Sequence, residues 1–214
     1  MQKRTLITIL TWNRLNLTRD TIKSLYKHNT DDFDLLFIDN GSTDGTVEYL
    51  EKRYPLIKNK TNEGIFNASA KVWKEGVRQG YDYILNLQND FPCTRKIPFK
   101  ELEAYMDENE DVCYIRLNKK KDKKINLVTK KPIWYGDPEH IGDYHIKKCN
   151  YHAGFNPALI RSSIIEEFSK YDGDNPRERI LMNNFERIGK QCAKLFPDVF
   201  ETLKQGDHKG DWRH

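Results

Sequence analysis

Short apolar runs along this chain alternate with stretches in which apolar residues recur every three or four positions. Thr5 to Thr11 reads TLITILT, a β-prone run bounded by Trp12-Asn13-Arg14, and predicts a buried first strand. Asn16 can cap a helix that runs through His28, with Leu17, Ile22 and Leu25 on one face. Phe33 to Asp39 (FDLLFID) predicts a second buried strand, broken at Asn40-Gly41-Ser42. Asp44 can then cap Thr46 or Val47 of the next helix. The first 55 residues therefore read β-α-β-α, which implies parallel strands with right-handed crossovers.

Asn62-Glu63-Gly64 opens a third helix to about Gly76, with Ile65, Ala68 and Val72 at helical spacing. A strand beginning at Tyr81 follows, then a helix face of Phe99, Leu102, Tyr105 and Met106, then a strand from Val112 to Leu117. Asn118 to Lys124 (NKKKDKK) reads as a solvated basic loop. Lys130 to Cys149 holds Trp134, Tyr135, His140 and His145 without a clear period and reads as a long loop. Tyr151 to Ile160 predicts a late strand and turn, and Ser162 or Ser163 starts a helix toward Tyr171. A last helix has Asn175 as its cap, Pro176 in its first turn and Glu178 at the capping-box position. Leu181, Phe185, Ile188, Cys192 and Leu195 then continue it as a core stripe. The fold class is an open, mostly parallel α/β sheet flanked by helices, in one domain over residues 1–214.

Composition narrows the function. Charged residues make up 32% of the 214 and mean hydropathy is −0.82, and no apolar run approaches the ~20 residues of a membrane span. Cys93, Cys113, Cys149 and Cys192 lack CxxC spacing and read as thiols of a reducing, cytoplasmic compartment. A net charge of +4 fits an anionic small ligand and does not call for nucleic acid.

Candidate chemistry concentrates in Tyr81 to Phe91, YDYILNLQNDF. The run is apolar at Tyr83-Ile84-Leu85, turns to Asn86, Gln88, Asn89 and Asp90, and ends at Pro92. A strand buried at its start and polar at its carboxyl end is what an open α/β sheet shows at its ligand crevice. Asp90 sits where a hard cation or a diphosphate–metal complex would be met.

The βαβα start, the DNGSTDGT turn, the NEG helix opening and the NLQND strand end, in this order, resemble the nucleotide-sugar-dependent glycosyltransferases of the GT-A fold, family 2, which are inverting. The likeness covers roughly Thr5 to Asp90 and weakens through Val112 to His214. It implies a nucleotide-binding half over 1–92 and an acceptor-binding half, with the tail, over 93–214. It further implies a UDP-sugar donor, a glycan or other hydroxyl acceptor, and Mn2+ or Mg2+ as cofactor. Thr11 and Asp39 would meet the base, and Asn13 and Arg14 the ribose and phosphate. Asn40, Ser42, Asn62, Gly64, Gln88 and Asn89 complete the donor site. Asp39 is expected in a loop, where its loss costs little stability. The family's usual Arg seven residues after Asn62 is here Ser69, which turns attention to Arg14 and Lys71 for the diphosphate. The first acid of the family's DxD is here the neutral Gln88, leaving Asp90 as metal ligand, with His208 of the tail as a second.

The general base should be a carboxylate beside the acceptor. Glu178 matches the region of the family's late acid, and Asp174, Asp137 and Glu139 are alternatives. Trp134 and Tyr135 can stack on sugars, whereas Trp73 is better placed for core packing. Two other functions remain compatible with the pattern. A sugar nucleotidyltransferase shares the topology but normally carries a Gly-rich phosphate loop where Trp12-Asn13-Arg14 stands. A non-catalytic nucleotide-sugar or glycan-binding module would account for Gln88.

Overall fold

The computed structural model describes residues 4–118, 132–150, 154–169 and 188–203. In chain order the elements are β1 Thr5–Thr11, α1 Leu15–His28, β2 Asp34–Asp39, α2 Thr46–Glu51, β3 Leu56–Lys58, α3 Gly64–Arg78 and β4 Tyr83–Gln88. They continue with α4 Phe99–Glu108, β5 Val112–Arg116, β6 Glu139–Ile141, β7 Tyr144–Cys149, β8 Ala158–Arg161, α5 Ser162–Ser169 and β9 Gln191–Phe196. The strands form one sheet in the order β3-β2-β1-β4-β8-β5-β9-β7-β6. β3, β2, β1 and β4 run parallel, and β5 and β9 pair parallel. Only β8 and β7 run against the others, so the sheet is mostly parallel, as the sequence pattern predicts.

Strand alternation splits the core into two layers. Ile7, Ile9, Leu35, Phe37, Leu85 and Leu87 pack under Ile22, Leu25 and Leu50 of α1 and α2, and under Leu102 and Met106 of α4. The other face carries Leu6, Leu10, Leu36, Ile38 and Ile84 against Ala68, Val72 and Trp73 of α3 and Ile164 and Ile165 of α5. Strands covered on both faces read as continuous apolar runs, which is why β1, β2 and β4 stand out in the sequence. The four cysteines are buried and form no disulfide. Among the described residues no helix is long and apolar enough to cross a membrane.

The structure departs from the sequence pattern in several places. Asn16 is exposed inside α1 and does not cap it; the Leu15 N–H is taken instead by Asp44 Oδ2 at 2.9 Å, from the turn after β2. Asn118, expected in a solvated loop, is buried and bridges to Phe200. Residues 130–149, expected as a loop, contain the β6–β7 hairpin, closed by the two-residue turn Gly142-Asp143 with Gly142 at φ 58°. That turn chemistry was visible in the sequence, but the strands bury only Ile146 and Cys149 and show no clean alternation. The expected stripe ending at Cys192 and Leu195 is not helical there, because β9 lies between β5 and β7 and is covered on both sides. Cys192 and Leu195 belong to opposite core layers, which helix-like spacing cannot reveal in a doubly buried strand. Residues 175–187 of that predicted helix, with Glu178, lie outside the described residues, as do Asp174 and His208. Ile188, expected in the core stripe, is instead 37% exposed in a turn before β9. β3 is three residues long, too short to give a period.

Candidate active site

The carboxyl ends of β1, β2 and β4 lie side by side, and the turns leaving them meet at one crevice. The first turn is strained. Asn13 and Arg14 hold positive φ angles of 54° and 62°, a left-handed pair that non-glycine residues adopt at a cost. Neighbouring elements hold them there. The Asn13 N–H donates to Ser42 Oγ at 2.6 Å, its Oδ1 accepts from Thr43 N–H at 2.9 Å, and its carbonyl accepts from Asn89 Nδ2 at 3.0 Å. All three turns are thereby tied through one residue.

Asp39 is the knot of the second turn. It ends β2 and is 0% exposed. Its Oδ1 accepts the N–H groups of Gly41 at 3.0 Å and Ser42 at 2.8 Å, and its Oδ2 accepts the hydroxyls of Thr11 at 3.0 Å and Ser42. This corrects the expectation of a loop residue whose removal costs little. Asp44 braces the same turn. Burial works against its charge, but hydrogen bonds from Thr46 and the Leu15 N–H hold its carboxyl below the ordinary range.

Asn40 carries the turn on to α3. Its Nδ2 donates to Asn62 Oδ1 at 2.6 Å, and its Oδ1 accepts from Asn59 Nδ2 and the Glu63 N–H, each at 3.0 Å. Asn62 Oδ1 also accepts the Gly64 N–H at 2.9 Å. Asn40 and Asn62 therefore occupy two of the donors at the start of α3 and act as a brace for that helix. Gly41 is required here: at φ 83° an added Cβ would lie 2.8 Å from the backbone carbon of Thr61. Lys71 is engaged on the surface of α3 by Glu63 at 2.6 Å and Asn59 at 2.9 Å, and Ser69 faces the core.

At the end of β4 four polar residues point in different directions. Asn86 Nδ2 and Gln88 Nε2 both donate to the Phe155 carbonyl, at 2.9 and 2.8 Å. Trp73 Nε1 donates to Asn86 Oδ1 at 3.1 Å, and its ring stacks on Phe155, so Trp73 is a core residue as expected. Asn89 turns the other way, with its Nδ2 donating to Thr18 Oγ1 at 3.1 Å as well as to Asn13. Asp90 faces Arg14, with Arg14 Nη1 3.4 Å from Asp90 Oδ2 and the two side chains 8% and 14% exposed. Burial pushes the Asp90 carboxyl above the ordinary range, against the pull of Arg14. Its Oδ1 is buried and accepts no hydrogen bond among the described residues. A buried carboxylate oxygen left open beside a cation calls for a further positive partner.

Nothing in the sequence marks the Phe155 carbonyl as an acceptor, because a backbone carbonyl leaves no signature in side-chain pattern. It changes the meaning of Gln88, whose amide is committed to joining β4 to the segment before β8. Gln88→Asp, which restores the first acid of a DxD, is expected to lower stability by about 1–2 kcal/mol, since a carboxylate would face a carbonyl in place of a donor. It is expected to leave Mn2+ affinity unimproved; a tenfold tighter Mn2+ titration would show that position 88 faces the metal after all.

Two alternative bases fall away on distance. Glu139 starts β6, five strands from β4, roughly 24 Å at about 4.8 Å per strand. Asp137 lies two residues before it, and Glu139 Oε1 accepts the Tyr105 hydroxyl at 3.1 Å.

The family model "Glycosyl transferase family 2" matches residues 6–169, from β1 through α5. The chain belongs to glycosyl transferase family 2. Solved structures with a similar fold include glycosyltransferases of the GT-A class, and the three described next are distant in sequence. S. aureus TarS 1-349 in complex with UDP-GlcNAc is 14% identical at a TM-score of 0.66, over 97% of this family 2 chain and 60% of that one. The mannosyltransferase PcManGT from Pyrobaculum calidifontis, in complex with GDP-Man and Mn2+, is 12% identical at 0.64, over 96% and 59%. GalNAc-T7 with UDP, GalNAc and Mn2+ is 10% identical at 0.65, over 94% and 44%. The family 2 chain thus spans about 60% or less of the lengths of these three. No curated protein matches it in sequence.

Proposed function

We propose that this chain moves a sugar from a nucleoside-diphosphate sugar, UDP-linked, to a hydroxyl of a glycan or glycoconjugate, with inversion and with the help of a divalent metal. Residues 1–92 serve the donor and 93–214 the acceptor within one domain. The observation that carries this reading is the buried Oδ1 of Asp90 beside Arg14, which accepts no hydrogen bond among the described residues, at the point where the β1, β2 and β4 turns converge. Family membership and the nucleotide-sugar complexes of the similar structures support it.

Asp90 fits a Mg2+ or Mn2+ site. Such ions take oxygen ligands and usually need only one or two carboxylates, with substrate phosphates completing the set. No group of three metal-ligating side chains occurs among the described residues. His208 is the proposed second ligand; the chain leading to it leaves from beside Asp90, where the Leu203 N–H donates to the Asp90 carbonyl at 3.1 Å. When bound, the metal neutralises charge on the leaving diphosphate. Arg14 adds a second positive charge to the same crevice. Thr11, Asn13, Asp39 and Ser42 shape the nucleoside pocket, with Asp39 acting through the turn it organises. Asn40, Asn62, Gly64, Gln88 and Asn89 hold the walls. Glu178 takes the acceptor proton.

The test is a thermal-shift panel of UDP-, GDP- and dTDP-sugars with and without Mn2+, because a ligand that binds the native state raises Tm. UDP-sugars with Mn2+ are expected to stabilise most; stabilisation by none of the three would overturn the reading. Glu178→Gln is expected to lower transfer ~10²-fold with donor affinity unchanged. Transfer at the parent rate would move the base to Asp174.

A further inference from the structure

The buried face of α1 mixes hydroxyls with apolar side chains: Thr18, Thr21, Ile22 and Leu25. Both threonines are 0% exposed. Valine would fill the same space, so what the hydroxyls add is hydrogen bonding, and burying them without a partner would cost free energy. Within a helix a threonine hydroxyl commonly returns to the carbonyl four residues back. Thr18 does so, its Oγ1 donating to the Arg14 carbonyl at 3.3 Å, while the same oxygen accepts from Asn89 Nδ2 at 3.1 Å. Thr21 Oγ1 instead crosses to the Asn89 carbonyl at 3.0 Å. Three residues further on, Ser24 Oγ accepts the Cys93 N–H at 2.8 Å. At this spacing Thr18, Thr21 and Ser24 lie along one side of α1. They grip the chain at Asn89 and at Cys93, on either side of Asp90.

The same helix carries Arg14. That residue is the N-cap of α1, with its left-handed φ of 62°, and its carbonyl accepts the Thr18 N–H at 3.0 Å as well as the Thr18 hydroxyl. One helix therefore holds both charges of the crevice, Arg14 directly and Asp90 through Asn89 and Cys93. The spacing it sets is wide. Arg14 Nη1 stays 3.4 Å from Asp90 Oδ2, and Asp90 Oδ1 accepts no hydrogen bond among the described residues. Left to themselves, a guanidinium and a carboxylate close to about 2.7–2.9 Å and often engage both oxygens. Such closure would take up the oxygen that a divalent cation needs.

We infer that Thr18, Thr21 and Ser24 are positioning residues, which hold Asp90 back from Arg14 and so keep its second oxygen open to a divalent cation. This rests on the glycosyltransferase reading, with its metal at Asp90. Calorimetry of UDP with the full chain, with and without Mn2+, tests it in two pairs of variants: Thr21→Val with Thr21→Ser, and Thr18→Val with Thr18→Ser. Valine keeps the packing and removes the hydroxyl; serine keeps the hydroxyl. The factor by which Mn2+ tightens UDP binding is expected to fall about tenfold or more in each valine variant. In each serine variant it is expected to stay close to the parent's. A merely structural role would lower Tm and leave that factor unchanged in all four folded proteins. Ser24→Ala, expected to act in the same direction, takes the place of a valine variant that does not fold. Parent-like factors in the valine variants, or equal losses in valine and serine variants, overturn the inference. A crystal structure of Thr21→Val without ligand is the second measurement. Arg14 and Asp90 are expected to close there to about 2.9 Å, and an unchanged contact overturns the inference. Should the parent bind no UDP, the glycosyltransferase reading falls, and that contact alone decides the positioning role.

Discussion

Asp90→Asn is expected to abolish metal-dependent donor binding while leaving the free protein close to its parent stability. The two halves of this expectation have separate causes. Asp90 is the only carboxylate in the NLQND segment, so the variant offers a divalent cation a neutral amide in place of its one charged ligand there. Donor at a hundred times its Kd stabilises a native protein by about 2.7 kcal/mol. For a chain of this size that is a Tm rise of roughly 5–10 °C. This rise should appear for the parent with UDP-sugar and Mn2+ and vanish for the variant.

The free protein should tolerate the change because burial raises the Asp90 carboxyl above its ordinary range. A carboxyl raised on folding stabilises the native state at low pH and loses that contribution as pH climbs through its folded value. At neutral pH the ionised Asp90 is therefore a burden on the free protein, which Asn removes. Loss of the contact to Arg14, long at 3.4 Å, works in the opposite direction and keeps the net effect small. A variant that keeps a Mn2+-dependent Tm rise equal to the parent's would remove Asp90 from the metal site.

Asp39→Ala is expected to destabilise the fold by about 3 kcal/mol or more, seen as a Tm lower by roughly 6–12 °C. The carboxylate accepts from two N–H groups and two hydroxyls at a position with no solvent exposure. Removing it leaves four donors without this acceptor. The Thr11 hydroxyl keeps the Ile38 carbonyl at 3.3 Å, and Gly41 and Ser42 are half-buried. Each buried polar group left unpaired costs about 1–3 kcal/mol. Ser42 also holds the Asn13 N–H, so the strained Asn13-Arg14 turn should loosen with it. Nucleotide binding should weaken as a consequence of that loosening. Asp39→Asn, which keeps one acceptor oxygen, should fall between parent and Ala in a denaturant titration. An Ala variant with parent stability would mean that the turn is organised by its backbone alone.

Much of this molecule is legible in the order of its residues. Thr5–Thr11, Asp34–Asp39 and Tyr83–Gln88 are continuous β-prone runs because both faces of a central parallel strand are covered, so burial leaves no polar gap. Their polar carboxyl ends mark the crevice for the same reason: the ladder stops there and side chains meet solvent or ligand. Asp90 could be named in advance from its place at a strand end, and Arg14, 76 positions away, from the family resemblance. Tertiary structure decided what local pattern does not encode. It tied Asp39, Asn40 and Asn62 into a hydrogen-bonded brace, because a turn packed against its neighbours must satisfy its own N–H groups. It committed Gln88 to the Phe155 carbonyl, 67 positions away. It made β9 a strand although its apolar residues fall at helical spacing, because β5 and β7 on either side supply the hydrogen bonds of a ladder. It also set Thr18, Thr21 and Ser24 against residues 68 to 71 positions away, since the packing of α1 beside the end of β4 brings distant residues together and no sequence period spans such separations.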